Sequence, residues 1–232
     1  MTTGSSLCTA AAVSLLAGLD RTAVLQLMIS RPIVAAPLAG WLLGNAAIGL
    51  EIGAFLELLW LGRIPVGASI PPDDTQVAIG CTFLAITQYP GPPVPATAFS
   101  ILCLLAALPF GRIGGFFDRL ARRRNECLWM RAQQALDEQR YGVVNWLHLQ
   151  GALHFGMASL LTLGVVLLGG FVGISVFTPV LASGPTDISP WLRMAVPLAG
   201  IAACLGTVNF RKSVCFYVLS FMVVYSLLLV SG

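Results

Sequence analysis

The sequence predicts an all-α, polytopic membrane protein of about six to eight transmembrane or half-spanning helices, some of them broken or re-entrant. Three observations predict it. Of 232 residues, 57% are hydrophobic and only 10% charged, against about 25% charged in a soluble domain. Mean hydropathy is +0.85. The apolar residues gather in runs approaching the roughly 20 needed to cross a bilayer core of about 30 Å. A soluble enzyme, a nucleic-acid module and a disordered tail are excluded together. Residues 1–232 are expected to form one membrane transport domain.

Taken in order, residues 7–19 form a short first run without the basic leader of a cleaved signal, so it is retained as part of the mature chain. Runs at 23–44, 46–62, 77–88 and 95–110 follow. After a polar interval come 146–181, long enough for one long or two short helices, then 191–209 and 214–230. The run 77–88 has only twelve residues between Pro71-Pro72 and the prolines at 90, 92, 93 and 95. Proline removes backbone donors and stops helices, so this piece reads as a half-helix or re-entrant hairpin. Irregular backbone inside a membrane is tolerated only where protein or water surrounds it, and broken helices mark binding sites in transporters.

The interval 112–144 holds seven of the 13 basic residues (Arg112, Arg119, Arg122, Arg123, Arg124, Arg131, Arg140) and four of the ten acids. Arginine beside a span resists translocation, which assigns this interval to the cytoplasm as an Arg-rich loop. Four interleaved acids and few aromatics argue against nucleic acid. The six cysteines contain no CxxC pair and lie mostly in apolar runs, as small buried hydrophobes. No metal or cofactor is expected. No HExxH, GxSxG or P-loop pattern occurs, and Gly111-Arg-Ile-Gly114-Gly115 lacks dinucleotide-binding spacing.

Gly40 and Gly44, then Gly49 and Gly53, fall four apart, the spacing that lets helices approach closely in lipid. The run 46–62 also holds Glu51 and Glu57. Its eight Leu, Ile and Phe residues gain about 2.5–5 kcal/mol on insertion. Two carboxylates at about 2.5–3.5 kcal/mol each cancel that gain, so the run needs a protein or aqueous surround. Six residues apart, the two acids point about 120° from one another and cannot share one ligand directly.

A carboxylate accepts paired hydrogen bonds from vicinal hydroxyls, which makes Glu57 and Asp73 candidate sugar acceptors. Trp60 is available to stack on a sugar face, and Gly62 and Gly67 allow a bend. Asp73 also reads as a helix cap after proline, and Trp60 as an interface tryptophan.

The stretch Gly53-Ala-Phe-Leu-Glu57-Leu-Leu-Trp-Leu-Gly62-Arg-Ile-Pro-Val-Gly67-Ala-Ser-Ile-Pro-Pro72-Asp73 resembles the IIC membrane component of the mannose-family sugar phosphotransferase system. The resemblance extends to Leu19-Asp20, Arg31-Pro32, Leu43-Gly44-Asn45 and Gly49, and to Trp146-Leu-His148. It covers residues 19–74 most closely, roughly a quarter of the chain. It implies a transport subunit of the bacterial inner membrane, crossing it several times in an oligomeric complex with lipid around it. A IID membrane subunit would accompany it, and cytosolic IIA and IIB proteins would pass phosphate to a hexose-type sugar arriving from outside. The IIC chain would carry no phosphoryl group, so neither His148 nor His154 is expected to be phosphorylated.

On that resemblance Asn45 and His148 join Glu57, Asp73 and Trp60 as substrate-contacting candidates, with Gly53, Gly62, Gly67 and Pro72 as hinge or packing positions. Asn45 stands where many relatives have Asp, and Ser30 where some have His. Two other readings compete: an ion- or proton-coupled secondary transporter relaying through Glu51 and Glu57, and a membrane scaffold or regulatory component held through the Arg-rich loop.

Overall fold

In the computed structural model, residues 3–24, 26–60 and 71–183 are described, with isolated positions between 194 and 222. The expected runs 191–209 and 214–230 fall almost wholly outside the described residues, as do Gly62 and Gly67. The described chain forms α1 (Thr3–Thr22), α2 (Pro32–Leu42), α3 (Ala46–Trp60), α4 (Asp74–Thr87), α5 (Ala96–Ala107), α6 (Gly111–Asp137) and α7 (Tyr141–Ala182), with a 3₁₀ turn at Leu108–Phe110 between α5 and α6. No strand occurs among the described residues.

Proline sets several boundaries. Pro32 opens α2 at its first position, Pro95 precedes α5, and Pro109 falls within the 3₁₀ turn. Proline's fixed φ suits a first turn, and its missing N–H costs nothing there. The expected run 23–44 breaks because Asp20 accepts the backbone N–H groups of Leu27 (2.6 Å) and Ser30 (3.0 Å). That connection, with Gln26 and Met28 at positive φ, precedes α2.

The expected half-helix is α4. Its 14 residues span about 21 Å, too few to cross. Eleven of them are buried, because α1, α2, α3, α5 and α7 pack around it. Buried polar atoms on it are paired inside the protein: Ser14 donates to Gln76 Oε1 (2.7 Å), and Gln76 Nε2 donates to the Ser14 carbonyl (3.3 Å).

Among the described residues, two helical runs are long and apolar enough to cross a membrane, Ala96–Asp137 and Tyr141–Ala182. The second is one continuous helix of 42 residues, about 63 Å long. The Arg-rich interval is not an open loop: it is mostly α6, antiparallel to α7, because its small residues Gly114, Ala121 and Ala135 bury at heptad spacing against that helix.

Small residues control the approach. A methyl on Gly49 would lie 2.3 Å from the Ala36 carbonyl oxygen, and one on Gly53 2.5 Å from that of Pro32, so α2 and α3 meet backbone to backbone. Gly44 plays a different part: its φ of +93° makes the turn between them, with open space where a side chain would go.

Candidate functional site

The polar centre forms where α4 begins. Asp73 Oδ1 accepts the Gln76 N–H (3.2 Å), capping α4. The Asp73 N–H donates to the Gly111 carbonyl (2.8 Å), which ties this cap to the start of α6. The same Oδ1 takes a hydrogen bond from Arg21 Nη1 at 2.5 Å, and Asp74 lies 3.5 Å from that nitrogen. Arg21 Nη2 donates to the Pro72 carbonyl (3.4 Å). Asp73 Oδ2 therefore holds no hydrogen bond among the described residues.

Beside this cluster lies a cavity of about 250 Å³ walled by α1 (Gly18, Arg21, Thr22), by Pro71 and Asp73, by α6 (Gly114, Gly115, Asp118, Arg122) and by α7 (Phe155, Ala158, Ser159, Thr162). It exists because residues facing it are small. A methyl on Gly114 would sit 2.6 Å from Asp73 Cβ and 2.8 Å from Thr162 Cγ2; one on Gly18 would overlap Ser159. Arg122 donates to Asp118 Oδ2 (2.7 Å) and stands over the Phe155 ring, 5.7 Å from its centroid.

Among the described residues lining the cavity, Arg21 and Arg122 match Asp73 and Asp118 in formal charge, with Asp74 behind Arg21 at 3.5 Å. Hydroxyl-rich neutral molecules suit such a wall, since guanidinium groups only donate and carboxylates only accept. The volume lies just below the range of about 300–1,000 Å³ typical of drug-sized ligands, which fits a small solute.

Asp73 is the one predicted acceptor on this cavity. Glu57, near the end of α3, is ion-paired with Arg31 at the N-cap of α2, and its Oε2 is buried without a hydrogen-bond partner among the described residues. Its charge is thus met by an arginine rather than by open water. Trp60 and Pro72 line a second cavity of about 270 Å³ with Leu108, Pro109 and Arg112. Pro72 and Arg112 of this second cavity are chain neighbours of Pro71, Asp73, Gly114 and Gly115 of the first, which sets the two close together.

His148 lines a third cavity of about 400 Å³ between α6 and α7, which shares Thr22 and Phe155 with the first. Asn45 is exposed and caps α3 through the Ile48 N–H (3.2 Å). Twelve residues separate it from Glu57 along α3, about 18 Å, so the two do not meet one small ligand. Gly53 packs against α2.

Sequence reasoning did not single out Arg21, Gly114, Asp118 or Arg122. Gly114 and Gly115 were read only as a failed nucleotide motif, and the two α6 side chains only as members of a charge cluster. The i,i+4 spacing of Asp118 and Arg122 was the available signal. The five-residue glycine stretch before it was the other.

Comparisons with known proteins agree with this architecture. The family described as PTS system sorbose-specific IIC component matches residues 6–230. The sorbose-specific EIIC component of Klebsiella pneumoniae is 26% identical over 195 residues, covering 83% of this chain and 70% of that protein. The mannose-specific EIIC component of Escherichia coli K12 is 24% identical over 189 residues, covering 81% and 67%.

Among solved structures, one described as a membrane protein aligns at a TM-score of 0.66 with 23% identity, covering 95% of this chain and 86% of that one. The mannose transporter ManYZ in complex with microcin E492 aligns at 0.56 with 21% identity and the same coverage. At these identities the two structures speak for the fold.

Proposed function

Because the chain belongs to the PTS system sorbose-specific IIC family, as its match over residues 6–230 establishes, we propose that it admits a hexose-type sugar through the cavity at Asp73 for phosphorylation on the cytoplasmic side. It is a mannose-family IIC component and a membrane protein. In this reading it spans the bacterial inner membrane several times, pairs with a IID subunit in an oligomeric complex, and hands sugar to IIB, which receives phosphate from IIA.

The observation that carries the substrate reading is the donor and acceptor wall of Arg21, Asp73, Asp118 and Arg122. Asp73 Oδ2 and the Asp118 carboxylate accept sugar hydroxyls, while Arg21 holds Asp73 in place and Arg122 donates from the opposite wall. Trp60 in the adjoining cavity and His148 in the third are the further residues offered to the sugar along its way. Glu57 has a secondary role: its pairing with Arg31 ties the end of α3 to the start of α2.

The test is uptake of labelled hexoses by cells expressing this chain with IID, IIA and IIB proteins and lacking transporters of their own. Uptake is expected to require phosphoenolpyruvate and to survive a protonophore in phosphoenolpyruvate-loaded vesicles. Asp73→Asn should reduce it strongly with the complex still assembled. Proton-driven uptake indifferent to phosphoenolpyruvate would overturn the reading, as would Asp73→Asn transport at the full rate.

A further inference from the structure

We propose that the outer flank of the α6–α7 pair holds an anionic phospholipid, its phosphate at Arg124 and His154 and its acyl chain along Phe117, Leu120, Met157 and Leu161. These residues line a shallow groove on the side of the pair facing away from the sugar cavity; Ala158 forms the floor between the two. The groove has two chemical halves. Leu120, Met157 and Leu161 are exposed large hydrophobics, as are Phe116 and Leu153 alongside. At the other half stand a guanidinium and an imidazole.

The cations are what identify the occupant. Arg122 pairs with Asp118, and Arg140 with Glu138, but Arg119, Arg123, Arg124 and Arg131 have no carboxylate within ion-pair distance among the described residues. Unpaired arginines on a helix whose neighbouring face exposes Phe116 and Leu120 form the pattern of an interfacial helix, apolar side chains in the acyl region and guanidinium groups at the phosphates. Both helices of the groove belong to the runs long and apolar enough to cross a membrane, so its apolar half faces acyl chains, where a cytosolic protein does not reach.

His154 is held for this role. Asn125 Nδ2 donates to the Gly151 carbonyl (3.1 Å), so Asn125 Oδ1 is an acceptor, and His154 Nδ1, 2.7 Å away, carries the proton. The doubly protonated ring is thereby oriented, with Nδ1–H on Asn125 and Nε2–H, free of any hydrogen bond among the described residues, left to donate to the phosphate. Bidentate phosphate geometry suits Arg124 better than a lysine would.

Native mass spectrometry of the full chain, purified with its partner subunit and offered phosphatidylglycerol or phosphatidylcholine in equal amounts, tests the assignment. Phosphatidylglycerol should be retained in preference. Arg124→Gln should weaken its retention about fivefold, the effect of one arginine near an anionic surface, without shifting the thermal midpoint; Arg140→Gln, outside the groove, should change nothing. Leu120→Asn should weaken both lipids. Equal retention of the two lipids would overturn the proposal. So would an Arg124→Gln variant that keeps its phosphatidylglycerol while losing affinity for IIB, or displacement of the lipid by glycerol 3-phosphate alone.

Discussion

Asp73 performs two tasks with one carboxylate. Oδ1 caps α4 and receives Arg21, while Oδ2, without a hydrogen bond among the described residues, is the oxygen proposed to accept a sugar hydroxyl. Asparagine caps a helix about as well as aspartate, but Asp73→Asn also removes the carboxylate paired with Arg21 and should lower the thermal midpoint in detergent. Losing a charged acceptor costs about 1.5–3 kcal/mol, or roughly ten- to hundredfold in sugar affinity, measurable by equilibrium binding of the radiolabelled sugar. Gln76 supplies the contrasting case. It is fully buried and joined to Ser14 by two hydrogen bonds. Gln76→Leu strands the Ser14 hydroxyl in an apolar interior and should lower stability by about 1–3 kcal/mol, read as an early unfolding transition, with little change in the affinity of the molecules that remain folded. The cap was legible in the motif Pro72-Asp73. Its arginine partner was not, since 52 residues separate Arg21 from Asp73.

Helix pairs here are held at distances that only glycine permits. A methyl on Gly18 would overlap Ser159 Oγ and stand 2.4 Å from its Cβ, between α1 and α7. Gly18→Ala should therefore destabilise by about 1–3 kcal/mol, as overpacking does, and Ser159→Gly in the same chain should restore the midpoint. Gly49→Ala should admit no such rescue, because the obstacle is the Ala36 carbonyl, which no side-chain change removes. Thermal melts of the single and double variants check both outcomes. The spacing at Gly49 and Gly53 was readable from the sequence, as small residues four apart. The partner helix and the separate turn role of Gly44 were not, because spacing alone does not distinguish a packing glycine from one at positive φ.

For the whole molecule, the short α4 decides the arrangement. Being too short to cross, it is enclosed by other helices, and its capped start meets α1, α6 and α7 at the cavity. Co-expression should yield a complex with a IID-type subunit, and this chain alone should give no phosphoenolpyruvate-dependent uptake. Removal of IID with retained uptake would count against the subunit role. Composition by itself determined that the chain is helical and belongs in a membrane, since hydropathy sums locally and needs no knowledge of neighbours. Proline placement determined that 77–88 would be a short helix, because a missing donor acts at its own position. The Glu57 carboxylate, costly in lipid on any reading, was legible as needing company. Only the tertiary structure decided that this company is Arg31, that the Arg-rich interval folds as α6 against α7, and that Asp73 rather than Glu57 faces the open cavity. Those outcomes depend on which distant charges and small surfaces are brought within a few ångströms, and the ordering of residues along a chain does not contain those distances.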